Sequence, residues 1–196
     1  MFRLTIAAAL GSTLLLLAAV AGPAMASDNR VQPVRLRDNC DPNNFPPGLC
    51  ASTSTGNIGI TQLLNFVKAN AQDVLKSRNA LGWRFAPDAA GVKAGTAFEV
   101  ANQGGEVHTF TDVTKDGFKT GGCVTLLNQL LGLQPNSICQ GLDETSPNFG
   151  ALLGANGAVP PGVTGAFPLG NKTGTVLYQC LIHPWMRMSV TVEPAT

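Results

Sequence analysis

Charge is scarce in this chain. Only 13% of its 196 residues are Asp, Glu, Lys or Arg, and the formal net charge is +1. A chain this weakly charged lacks the basic footprint that a nucleic-acid partner requires, and it cannot steer any partner strongly by its field. Beyond the first two dozen residues no apolar run is long enough to span a bilayer. There are no internal repeats and no blocks of like charge. The Gly-rich stretch "GALLGANGAVPPG" has no Lys-Ser/Thr to make it a phosphate loop. What is plentiful is Gly (22) and Pro (13), which point to a turn-rich β protein.

Residues 1–26 read as an export signal. Arg3 gives the positive start, "LTIAAALGSTLLLLAAVAG" the apolar run, and Ala24–Ala26 ("AMA") the small-residue cleavage site. Removal takes Arg3 and leaves 12 basic against 12 acidic residues in about 170 residues, enough for one domain with a proper core. The expected location is periplasmic or secreted, without a membrane span once the signal is gone. Asn171 opens an "NKT" sequon, relevant only in a eukaryotic secretory setting.

Five cysteines follow the signal: Cys40, Cys50, Cys123, Cys139 and Cys180. Export predicts disulfides, and an odd count leaves at least one thiol unpaired. Cys40 and Cys50 flank a Pro-rich loop, and Cys123 and Cys139 flank "VTLLNQLLGLQPNSI"; both pairs look like short local bridges. That pairing would leave Cys180 free, although any of the five could be the odd one.

The organisation expected along the chain is an extended N-terminal segment at 27–58 and a main domain at 59–196. Leu63, Leu64, Val67, Ala71, Val74 and Leu75 recur at helical spacing and predict an amphipathic helix near 61–77. From Trp83 the period becomes two, with strands in "TAFEVAN", "EVHTFTDV", "VTGAFPL", "TGTVLYQC" and "MSVTV". Residues 118–160 interrupt this pattern as an insertion, with a short helix at Leu126–Leu131 and otherwise loop.

The chain holds two histidines, His108 and His183. His183 lies three residues after Cys180, and Met186 three residues after that. A free thiol in an oxidising compartment is a liability unless something holds it, and a metal does so by keeping it a thiolate. Two imidazoles, one thiolate and a weak thioether make the donor set of a blue-copper electron-transfer site.

These residues carry a resemblance. "VANQGGEVHTF" followed by "LYQCLIHPWMRMSVTV" resembles the cupredoxins, the small blue-copper proteins, and C-x-x-H-P-x-M-R at Cys180–Arg187 is most similar to the amicyanin-type loop. The match covers roughly 83–113 and 160–193. It implies a mainly β, Greek-key cupredoxin β-sandwich with one type 1 copper ion held by His108, Cys180, His183 and Met186. The helix near 61–77 and the insertion 118–160 are additions to that plan. Met188 would suit the longer plastocyanin-like loop, but counting to Val190, the first core residue of the last strand, selects Met186. Where the family often has Asn after its first His ligand, this chain has Thr109, whose hydroxyl could make a similar bond across to the Cys loop. Pro184 and Trp185, beside His183, would form an apolar docking patch. The implied role is single-electron transfer between transient protein partners by a monomer that is not an enzyme. The alternative is copper delivery, buffering or sensing, which the lack of Met-rich runs disfavours. Two histidines are too few for a multicopper enzyme, and Cys180 has no base-plus-orienter arrangement for thiol catalysis.

Overall fold

The computed structural model describes residues 30–139 and 141–195; the signal expected at 1–26 lies outside them. Two four-stranded sheets face each other across one core. The first has the order β2 (Arg84–Ala86), β1 (Val31–Arg37), β4 (Ala97–Asn102), β8 (Thr164–Pro168). The second has the order β3 (Ala89–Lys93), β10 (Arg187–Glu193), β9 (Gly174–Gln179), β6 (Thr111–Asp112). The pairs β1–β4 and β3–β10 are parallel and the other pairs within these sheets are antiparallel, so the chain crosses repeatedly between layers. This is the expected mainly β sandwich with helical additions.

Period-two patterning sets the inner faces. In β10, Met188, Val190 and Val192 are buried while Thr191 and Glu193 are exposed. In β4, Phe98 and Val100 turn inward and Glu99 outward. The layers meet through aromatic rings. Phe110 stacks on Tyr178 with centroids 4.2 Å apart, and Phe98 meets Tyr178 edge-on at 5.4 Å. Each such pair adds about 1 kcal/mol beyond the area it buries.

Three parts differ from the sequence expectation. Of the segment expected at 27–58, residues 27–29 lie outside the described residues and residues 30–58 join the main domain: β1 is an inner strand of the first sheet, with Val34 and Leu36 fully buried. The helix expected near 61–77 is two helices, α1 (Ile60–Ala69) and α2 (Ala71–Ser77). The break falls at Asn70, whose side-chain Nδ2 donates to the Phe66 carbonyl at 2.8 Å. Asparagine competes in this way with the regular backbone ladder. The insertion 118–160 contains α3 (Thr125–Leu131), as expected. It also holds α4 (Phe149–Ala155) and β7 (Ala158–Val159), in a stretch that reads as loop. β7 pairs with β5 (His108–Thr109), so the insertion ends bound to the strand that carries the first histidine.

Both local disulfides form, Cys40–Cys50 and Cys123–Cys139, and Cys180 is a free, buried thiol. The second bridge anchors the insertion beside the Cys180 loop, where Cys123 N donates to the Leu181 carbonyl at 2.6 Å. Gly122 makes this approach possible, since a Cβ there would lie 2.1 Å from the Leu181 oxygen. Gly122→Ala is therefore expected to lower unfolding stability by about 1–3 kcal/mol. Gly91→Ala, where a Cβ meets nothing within 4 Å, serves as the near-neutral control. Equal urea midpoints for the two variants would show that the insertion does not press on the loop.

Candidate metal centre

His108, Cys180 and His183 come together from two regions of the chain. β5 presents His108 at the edge of the sandwich. β9 delivers Cys180, and the turn that follows brings back His183. That turn is closed by its own backbone: Met186 N donates to His183 O at 2.9 Å, and Cys180 N donates to Met186 O at 3.0 Å. The Cys180 sulfur lies 4.0 Å from His108 Nδ1 and 3.9 Å from His183 Nδ1. All three donor atoms fall within 4.8 Å of one another, and all three residues are buried.

The far side of each imidazole meets a carboxylate. His108 Nε2 is 2.8 Å from Asp38 Oδ2, a contact with both side chains fully buried. His183 Nε2 is 3.4 Å from Glu106 Oε2, and Glu106 also accepts a hydrogen bond from the indole N–H of Trp83. A carboxylate on Nε2 holds the proton there and turns the Nδ1 lone pair towards the sulfur, which is the orientation a metal ligand needs. The donor set and its orientation thus fit a soft, low-coordinate metal ion such as copper.

The thiol is ringed by donors. Thr109 N donates to Cys180 Sγ at 3.4 Å. The Thr109 hydroxyl accepts from Leu181 N at 2.8 Å and shares a 2.8 Å hydrogen bond with the Thr111 hydroxyl, which donates to Asn156 O at 2.6 Å. Thr109 thereby makes the bond across to the Cys loop that its position suggested, and ties that loop to the insertion. Burial pushes the Cys180 thiol up, but hydrogen bonds and charge from both histidines outweigh it and hold the thiol well below its ordinary range. Burial works against a charged His183, yet Glu106 and the Cys180 sulfur raise it to about 10. His108 is raised by Asp38 against the same penalty. These shifts favour the thiolate form of Cys180 and the protonated forms of both rings, so a metal ion binding at Nδ1 competes with protons.

Met186 is fully buried at the closing of the turn. Met188 lies inside β10 opposite Tyr178 and belongs to the sandwich core. Pro184 and Trp185 are corrected: both are buried, Trp185 completely, with its indole N–H donating to Trp83 O at 3.2 Å. They support the turn and offer no surface.

Sequence reasoning missed Asp38, Glu106 and Trp83. Glu106 carried a faint signal, since i and i+2 of an extended stretch share a face with His108. Asp38 carried none; it arrives through β1. Gly104 lets it in, since a Cβ there would lie 1.9 Å from Asp38 Oδ2.

No protein-family model matches the chain, and no curated protein matches it. Solved structures do. A purple cupredoxin from Nitrosopumilus maritimus shares 16% identity over 57% of this chain and 83% of that one, with a TM-score of 0.31. Plastocyanin from Dryopteris crassirhizoma shares 17% over 57% and 89%, at 0.30. Amicyanin from Paracoccus versutus shares 17% over 54% and 69%, at 0.29. The chain is thus similar to cupredoxins over little more than half its length, and the functional reading rests on its own donor atoms.

Burial alone would raise the Asp38 carboxyl, but His108 and the N–H groups of Gly105 and Glu106 bring it from 3.8 down to about 2. A depressed carboxyl contributes stability that is whole above its unfolded value and is lost as pH falls through its folded value. For Asp38 that contribution is on the order of 2 kcal/mol and disappears between about pH 4 and pH 2. Metal-free Asp38→Asn should be less stable at neutral pH and lose less on acidification, measured by urea unfolding across that window. A parallel pH dependence in both proteins would remove Asp38 from the account.

Proposed function

We propose that this chain is an exported cupredoxin-like protein that holds one copper ion through His108 Nδ1, Cys180 Sγ and His183 Nδ1, with Met186 as a weak fourth donor, and carries single electrons between proteins. The carrying observation is the buried pair of imidazole Nδ1 atoms converging on one thiol, each ring fixed from behind by a carboxylate. Copper bound there supplies a one-electron couple between Cu(I) and Cu(II). The chain's own contribution is rigidity and dryness. The β5–β7 pair fixes His108, the end of β9 fixes Cys180, the closed turn fixes His183, and Asp38 and Glu106 stop either ring from rotating. Trp83, Trp185 and the insertion exclude water.

Full burial also favours a carrier over delivery or buffering, which need donors that exchange metal readily. It disfavours thiol catalysis as well, because no substrate can reach a sulfur with 0% exposure.

With Pro184 and Trp185 buried, access to the centre lies elsewhere. An apolar groove of about 600 Å³ reaches His183 and Glu106. Its walls include Leu49, Val107 and Leu126, three of the five exposed large hydrophobic residues among those described. Patches of this kind mark contact sites, and a small one suits a transient redox encounter. No helix among the described residues is long and apolar enough to cross a membrane.

Adding Cu(II) to the mature protein should give an intense thiolate-to-copper absorption in the visible, bleached reversibly by ascorbate and absent in Cys180→Ala. Colourless wild-type protein with its thiol still free would sink the copper reading. Substituting Met186 should alter the spectrum and substituting Met188 should not; the reverse result would move the weak donor to Met188. Asp38→Asn and Glu106→Gln should each weaken copper by about 10- to 100-fold in chelator competition, and undiminished affinity would deny the carboxylates their orienting role.

A further inference from the structure

At one end of the first sheet, where β1 and β4 end and β2 begins, lies a second cleft, of about 620 Å³, with a different chemistry. Its walls are polar: Arg37, Arg84, Thr53, Thr55, Asn39 and Gln103 are among its residues. Arg37 and Arg84 are register partners in the antiparallel pair β1–β2, so their side chains leave the sheet side by side on one face. Among the described residues neither guanidinium has an ion pair or a hydrogen-bond partner. Asp38 borders the cleft but does not neutralise them. Its Oδ1 accepts from Cys40 N at 3.1 Å and Gly105 N at 2.9 Å, and its Oδ2 accepts from Glu106 N at 3.0 Å and meets His108 Nε2 at 2.8 Å.

Two like charges directly opposite each other destabilise a strand pair. Here they are kept together in a concave polar site, and the exposed threonines Thr53 and Thr55 line the same cleft. Paired guanidiniums match the oxygens of a phosphoryl group in fork geometry, and hydroxyl groups complete such a shell. The volume exceeds what a free phosphate fills and lies within the range of small-molecule sites. We infer that this cleft binds a small phosphate-bearing anion, through Arg37 and Arg84. The site contains none of the metal donors, although Asp38 borders both, and the inference stands whether or not the chain binds copper.

The test is calorimetric titration of the purified full mature protein with inorganic phosphate and, separately, with glycerol 3-phosphate, at constant ionic strength set by chloride. Saturable one-to-one binding is expected, weakened about 10- to 100-fold in Arg37→Gln and in Arg84→Gln. Tighter binding of the ester assigns the cleft to phosphorylated small molecules; equal or tighter binding of inorganic phosphate assigns it to the free anion. Thermal unfolding provides the second readout. In phosphate-free, low-salt buffer Arg84→Gln should be at least as stable as wild type, because it relieves the like-charge pair. With phosphate the wild type should gain stability and the variant should not. Absence of saturation, or an equal response to phosphate in wild type and both variants, overturns the assignment.

Discussion

The structure turns on one constraint, a thiol buried between two imidazoles away from any solvent. In a low-dielectric interior a thiolate needs positive neighbours, and two imidazoliums need negative ones. The chain sets Asp38, His108, Cys180, His183 and Glu106 in a row, with acidic groups and imidazoles alternating along it. Removing a member would leave its neighbour buried without that partner, which costs more than the lost contact itself. A metal ion held by His108, Cys180 and His183 would supply the positive charge that ring protons otherwise supply.

Bringing five such groups together demands close backbone approaches, and these explain otherwise unremarkable glycines. Gly104 and Gly105 let the loop before His108 lie on Asp38 and on the Cys40–Cys50 bridge, where a Cβ would come within 1.9 Å of Asp38 Oδ2 or 2.5 Å of Cys40 Sγ. Gly122 does the same for the insertion against the Cys180 loop. The two disulfides fall at these approaches, one beside Asp38 and one beside Leu181. Each ties a loop down beside a residue of the centre or its turn.

What could be read from sequence and what could not divides along contact range. Cys180, His183 and Met186 sit in one turn, so their spacing could carry the family resemblance, while the free state of Cys180, left open by the odd count, became plain only with both bridges formed. The strands of the sandwich showed through period two. Asp38 was silent because its role depends on β1 pairing with β4, sixty-odd residues away in sequence. β1 itself was missed although "VRLR" alternates, because the polar residues around it made 27–58 read as a tail. α4 was missed because "FGALLGA" is Gly-rich and has no capping side chain; it is held by packing of Leu153 and Phe149 around the Cys123–Cys139 bridge. Trp185 was placed at the surface by the family resemblance, whereas here it is buried, with its indole bonded to Trp83 and its ring edge-on to His183.

That burial changes how the proposed function must work. A redox centre whose imidazole edge meets solvent can trade electrons with any partner that touches it. His183 is only 3% exposed, and its outer nitrogen faces Glu106. On the proposed function, an electron leaving by this ring would pass the apolar groove, most of whose walls come from the Cys40–Cys50 loop, α1, α3 and α4, with Val107, Ala158 and Ile182 completing them. On this reading the additions are the selectivity device: the β scaffold fixes the donors, and the added helices decide which surface can approach within transfer distance. The groove carries little charge besides Glu106 and Glu144, so selection there rests on shape and apolar contact. This agrees with a chain whose scarce and balanced charge offers no long-range steering.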